Sequence, residues 1–145
     1  MRVGTLMALV FLAALAPACK SRRPVPVDTS EAGDIPREVA LQKLRELLPT
    51  AEFLYCTAPK ETLKGSEVRG LSVQSAHMDI DHGRGKRLSL TYADISVVNL
   101  EQVGKYYTAR VYTAVSLDRE LFGFQWRQED PAKRAVELLA SLKKK

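Results

Sequence analysis

Two cysteines, two histidines and one tryptophan among 145 residues exclude a cysteine-rich zinc or disulfide scaffold, and they leave a nucleophile, histidine and carboxylate triad little to draw on. There is no G-x-S-x-G elbow, no phosphate-binding P-loop and no glycine-rich dinucleotide turn; Gly83 and Gly85 stand outside any such frame. No apolar run reaches the roughly 20 residues that a helix needs to span a bilayer. Aromatic residues, 7% of the chain, do not interleave with basic ones as they do in single-strand nucleic-acid binders. The formal charge of +5 gathers partly in Lys20, Arg22, Arg23 and the terminal Lys143, Lys144 and Lys145, so no nucleic-acid partner is expected. What remains is a length that suits one domain with a hydrophobic core of its own.

What is there begins with "LMALVFLAALAPACKSRRP", residues 6–24. Arg2 supplies a positive start, Leu6 to Ala16 an apolar core of about 11 residues, and Ala16-Pro17-Ala18 a small-residue cleavage site; together they read as a secretory signal over residues 1–18. Its removal takes the charge to about +4. "LAPACK" resembles the lipobox of bacterial lipoproteins, in which a small residue precedes a cysteine that is acylated and becomes the new N-terminus. The resemblance implies a lipidated Cys19 carrying palmitate-type chains, and a lipoprotein held at a membrane of the bacterial cell envelope. Lys20 after the cysteine is similar to the family's outer-membrane sorting signal, which implies a domain facing periplasm or exterior. The same tripeptide suits the ordinary signal peptidase. The alternative is then a secreted, unanchored domain in which Cys19 pairs with Cys56, a closure worth about 3 kcal/mol. The two exclude each other, because an acylated Cys19 leaves Cys56 as a lone thiol.

Residues 19–35 follow as the lipidated cysteine and a flexible tether, since "KSRRPVPVDTSEAGDIP" has three prolines and too little apolar surface to offset its ordering entropy. The single globular domain runs from 36 to 145. Leu41, Leu44, Leu47 and Leu48 at helical spacing, with Asp34 as cap and Pro49 as stop, predict an amphipathic helix over 36–48. From Ala51 the period changes to two. "AEFLYCT" reads as a strand, 59–67 as a polar connector, and "VRGLSVQSAHMDID" as a strand whose buried face changes at Ser75-Ala76 through a bulge or bend. "RLSLTY", "DISVVNLE", "YYTARVYTAV" and "ELFGFQWR" continue the alternation, with Tyr107, Ala109, Val111, Thr113 and Val115 on one face and Phe122, Phe124 and Trp126 on another. Asp130 as cap, Pro131 at the first position and the stripe Ala132, Ala135, Val136, Leu139 and Leu142 predict a closing helix. The fold class is α+β: an antiparallel sheet or partly open barrel of about 6–7 strands, with an N-terminal helix and a C-terminal capping helix.

"RLSLTYADISVVNLE", "YYTARVYTAV" and "ELFGFQWRQEDPAKRAVELLASL" together resemble the later half of a PH-like domain, over about residues 68–142. The turn Tyr92-Ala93-Asp94-Ile95, the two long hairpin strands after it and the alanine-rich start of the last helix carry the likeness. It implies a binding scaffold more than a catalyst, and such folds host very different ligands.

The basic loop "HGRGKR" offers Arg84, Lys86 and Arg87 as contacts for an anionic envelope component or an acidic protein; the alternative is a solvated hairpin turn. Tyr106, Tyr107 and Tyr112 fall on both faces of one strand, so one should be exposed, and Tyr112 joins the possible ligand contacts. "HMDIDHG" sets His77, Asp79 and Asp81 on one face with His82 at the turn, the one set with the donors for a divalent cation. Alternation alone accounts for it, with Met78 and Ile80 in the core and the polar set in water, so no metal, cofactor or catalytic residue is assigned. The expected function is that of a non-catalytic, membrane-anchored envelope lipoprotein that binds another envelope component. A metal-dependent hydrolase centred on residues 77–82 is the other reading.

Overall fold

A helical apolar period at each end of the domain and a period of two between them divide the chain into helices and antiparallel strands. The computed structural model describes residues 22–57, 60–64, 68–82, 86–113 and 120–143. Helix α1, Arg37–Leu47, turns Ala40, Leu41 and Leu44 inward and ends in a 3-10 turn at Leu48–Thr50, where Pro49 cannot continue the helix. Helix α2, Glu129–Lys143, carries Glu129 and Asp130 in its first turn, where carboxylates oppose the helix dipole, and buries Ala132, Ala135, Val136, Leu138, Leu139 and Leu142.

Among the described residues, nine strands make two antiparallel sheets. They are β1 (Arg22–Val25), β2 (Phe53–Thr57), β3 (Lys60–Lys64), β4 (Val68–Val73), β5 (His77–His82), β6 (Lys86–Thr91), β7 (Ile95–Val103), β8 (Tyr106–Thr113) and β9 (Glu120–Trp126). The larger sheet has the order β1-β7-β8-β9-β2-β3 and the smaller β4-β5-β6; they are not closed into a barrel. Both sheets and both helices share one core. Met78, Ile80, Leu88 and Leu90 of the small sheet meet Leu41, Leu44, Leu139 and Leu142 of the helices and Leu100, Val111, Phe122 and Phe124 of the large sheet. Phe122, Phe124 and Trp126 stack in succession along β9, with centroids 6.5 and 6.4 Å apart. Gly104 takes a φ of 60° in the two-residue turn between β7 and β8, a conformation that glycine alone adopts without strain.

The architecture corrects several expectations. In place of one sheet or partly open barrel of about 6–7 strands, the described residues form nine strands in two sheets. The change of face at Ser75-Ala76 is not a bulge but a chain reversal: Val73 stands opposite Met78 and Leu71 opposite Ile80. Partners across a hairpin share a face, and these pairs lie an odd number of residues apart, so the alternation must switch phase at the turn. The connector 59–67 contains β3, which pairs with β2 at the edge of the large sheet. Its Lys-Glu-Thr-Leu-Lys composition suits an edge strand, where charge discourages further pairing.

The tether expected over 19–35 also gives way to structure from Arg22 onward. Strand β1 pairs with Leu100–Val103 of β7, Ala32 is buried in a 3-10 turn, and Val25, Val27 and Ile35 pack against the core. Pro24 is tolerated because β1 is an edge strand. Asp34 does not cap α1. It lies in the 3-10 turn Ala32–Asp34, and Pro36 occupies the cap position with no side-chain hydrogen bond. Val115 lies outside the described residues.

Candidate functional site

A groove forms where β1 stops short. Its register covers Leu100 to Val103 of β7, and from Pro26 the chain has no N–H with which to continue the ladder. Among the described residues, Ile95 to Asn99 of β7 therefore have a strand partner on one side only, β8. The chain from Pro24 to Thr29, the β7 segment Val97 to Glu101 and one face of α2 enclose a groove of about 640 Å³. Val25, Val27, Val98, Val136 and Ala140 make most of its lining apolar, while Asn99, Glu101, Thr29 and Lys143 supply polar groups. Val97 is 41% exposed on the free edge. The Ser30 N–H donates to Asp28 Oδ1 at 2.9 Å, which turns the chain at the end of this wall; hydrogen bonding by the Ser30 side chain, and then by this N–H, lowers the Asp28 pKa.

Glu101 links the groove to an ion pair in the sheet. Its Oε2 stands 3.2 Å from Arg110 Nε, with the Arg110 side chain 5% exposed and that of Glu101 21%. Gly123 lies directly across from Arg110 on β9 and places no side chain against it. The lining thus mixes aliphatic side chains with Thr29, Asn99, Lys143 and the Glu101 carboxylate that Arg110 engages. Its free strand edge and apolar floor suit an extended segment that adds to the sheet.

Of the residues singled out from sequence, Arg87, Tyr112, His77, Asp79 and Asp81 have described side chains. Arg84 lies outside the described residues, and so do the side chains of Lys86 and His82; Lys86 itself is on β6 opposite His82. Arg87 is exposed but engaged, with Nε 2.8 Å and Nη2 3.4 Å from the two oxygens of Asp81, and this pairing raises its pKa. Tyr112 is half-buried on β8 of the larger sheet, opposite Val97, whereas Arg87 is on β6 of the smaller one. On β5, His77 Nε2 is 3.2 Å from Asp79 Oδ2, the Ser89 hydroxyl donates to Asp79, and Asp81 is tied to Arg87. Among the described residues no three His, Cys, Asp or Glu side chains gather as metal ligands. Cys19 lies outside the described residues; Cys56 is in β2, opposite Phe122, with its side chain outside them.

Sequence reasoning missed the groove because its first wall reads as a linker. The signal was present in "RRPVPV": Val25 and Val27 alternate with prolines, as befits an edge strand with one buried face. It named Tyr106 among three tyrosines but not its surroundings: the ring gathers Lys105 Nζ at 5.5 Å, the Arg127 guanidinium at 6.0 Å and the Phe53 ring at 5.5 Å. No described helix is long and apolar enough to cross a membrane. Compared with protein-family models, with curated proteins and with solved structures, the chain finds no match in any of the three.

Proposed function

We propose that this protein is a lipid-anchored lipoprotein of the bacterial envelope whose domain binds an extended, aliphatic segment of another envelope protein without catalysing a reaction. The observation that carries the binding role is the groove itself: five residues of β7, Ile95 to Asn99, present a free edge beside the apolar lining of Val98, Val136 and Ala140. Added main-chain hydrogen bonds would supply affinity there and the aliphatic floor selectivity. The signal and lipobox-like residues 1–19 support the anchor. The 3-10 turn at Tyr92–Asp94, the long β7–β8 hairpin and the packing of α2 on the large sheet are consistent with a PH-like scaffold.

Two measurements test the reading. The intact mass of the protein purified from its host membranes should exceed that of the chain from Cys19 by the mass of acyl groups. A chain two hydrogens lighter, with Cys19 joined to Cys56, overturns the anchor. A photo-crosslinking side chain at Val97 should capture a discrete envelope protein in living cells, whereas the same group at Asp94 should not. Equal capture at both positions overturns the groove as the binding site.

A further inference from the structure

The point at which the chain enters the large sheet determines which end of the domain an N-terminal anchor can reach. Arg22 is opposite Val103, which is opposite Tyr106, and the turn Gly104-Lys105 closes the β7–β8 hairpin beside them. Three chain steps separate Cys19 from Arg22, and an extended chain covers at most about 11 Å in three steps. A chain anchored at Cys19 therefore enters the sheet at the Lys105 end of β7. The other end, at Asp94, lies roughly 30 Å away along a nine-residue strand.

The near end is also where cations collect. Arg22, Arg23, Lys105 and Arg127 are all exposed. Strand register puts Arg22, Tyr106, Arg127 and Phe53 on one side of the sheet. The Tyr106 ring holds Lys105 and Arg127 at 5.5 and 6.0 Å, and Phe53 packs edge-on against it at an interplanar angle of 89°. One of these charges is answered locally, since Arg127 Nε is 3.2 Å from Glu52 Oε2. A half-buried tyrosine within a ring of basic side chains is the composition that settles at a headgroup layer, the ring at the interface and the charges on lipid phosphates.

We propose that the end of the large sheet formed by Arg22, Arg23, Lys105, Tyr106 and Arg127 docks on anionic phospholipid headgroups of the bilayer that holds Cys19. This proposal rests on the acylation of Cys19. It makes β1 a rigid leg in place of a loose tether: the domain lies with its β7–β8 turn on the membrane and the Asp94 end held away from it. The groove beside α2 then opens to the side, within reach of a partner in the same membrane.

The test uses the acylated protein in a Cys56→Ala background, with an environment-sensitive fluorophore on Lys105→Cys or on Asp94→Cys. The protein is reconstituted in vesicles containing about 30% phosphatidylglycerol and a nitroxide-headgroup lipid, and intact mass confirms the acyl chains in each sample. Quenching at position 105 should exceed that at 94 by about threefold or more, and the difference should collapse in pure phosphatidylcholine, in about 0.5 M salt, and in Arg22→Glu, Arg23→Glu protein. Trp126 emission reports that each variant is folded. Equal quenching at both positions in acylated protein, or a difference indifferent to lipid charge, overturns the docking surface while leaving the anchor intact. An unmodified Cys19 in protein from the native host overturns both.

Discussion

The indole Nε1 of Trp126 donates to Thr50 Oγ1 at 3.0 Å, tying the last strand to the turn after α1 across 76 positions of sequence. The Thr50 hydroxyl in turn donates to the Leu47 carbonyl at 2.6 Å, so one hydroxyl closes the helix end and satisfies an almost fully buried indole. Thr50→Val should cost about 1 kcal/mol, the net worth of such a bond, and Trp126→Ala about 3–5 kcal/mol through the cavity it leaves. Urea unfolding followed by circular dichroism measures both. A neutral Thr50→Val would mean that the indole finds another acceptor.

Tyr92 should make stability depend on alkaline pH. Its hydroxyl lies 3.0 Å from both the Gln74 and His77 carbonyls, and burial pushes its pKa up from 10.0 to about 12, with Arg37 and Arg45 opposing the rise. The neutral phenol is the form the fold favours. Stability is therefore fully present below pH 10 and declines between 10 and 12, by up to about 1.4 kcal/mol per pH unit, because the unfolded chain releases this proton first. Tyr92→Phe should abolish that decline, which denaturation at pH 8 and pH 11 would show.

Helix α1 holds the β4–β5 turn through two arginines. Arg45 Nε donates to the Val73 carbonyl at 3.0 Å, and the Arg37 guanidinium donates to that of Ser75, with its Nε at 3.1 Å. Arg45→Met keeps the aliphatic stem and loses the bond, at a cost of about 1 kcal/mol. Amide exchange at residues 73–77 should accelerate well before exchange in β7 and β8 changes; uniform acceleration would mean that the turn does not open on its own.

The groove edge and the core beside it should differ sharply in tolerance. Val97 is 41% exposed, and Val97→Asp should stay within about 0.5 kcal/mol of the parent while abolishing capture of an extended partner by a photo-crosslinking side chain placed at Asn99 of the same groove. Leu100, three residues on and 2% exposed, should lose about 2–5 kcal/mol as Leu100→Ala. Thermal melts of the two variants separate the roles.

Removing Arg110 should be costly. Its side chain is 5% exposed and 3.2 Å from the Glu101 carboxylate, so Arg110→Ala loses buried packing and takes this cation from that carboxylate. A loss of about 3 kcal/mol is expected by equilibrium denaturation, against under about 1 kcal/mol for the exposed Arg87→Ala, whose partner Asp81 returns to water.

Periodicity carried most of the fold. Leu41 and Leu44 of α1, the stripe of α2 and the row Phe122, Phe124 and Trp126 are buried as their spacing requires, with Leu47 partly buried, because each element is amphipathic by itself. The change of phase between Val73 and Met78 was equally visible. Its meaning was ambiguous, since a bulge and a two-residue turn both shift an alternation by one, and only the pairing of Leu71 with Ile80 decides. Strands β1 and β3 were hidden because edge strands are half solvated. "RRPV" and "KETLK" lack the apolar content that marks a strand and take their conformation from the neighbour's hydrogen-bonding edge.

For the candidate sites the division follows the same physics. Sequence by itself determined the signal-like and lipobox-like start, the poverty in catalytic side chains and the burial of the alternating rows, because each depends on residue type or on spacing within one segment. Only tertiary structure decided that Val25 and Val27 line a groove with Val98, Val136 and Ala140, that Asp81 neutralises Arg87, and that Lys105 and Arg127 meet over Tyr106. Those are contacts between segments distant in the chain, set by strand order and register, and no local pattern encodes the order β1-β7-β8-β9-β2-β3.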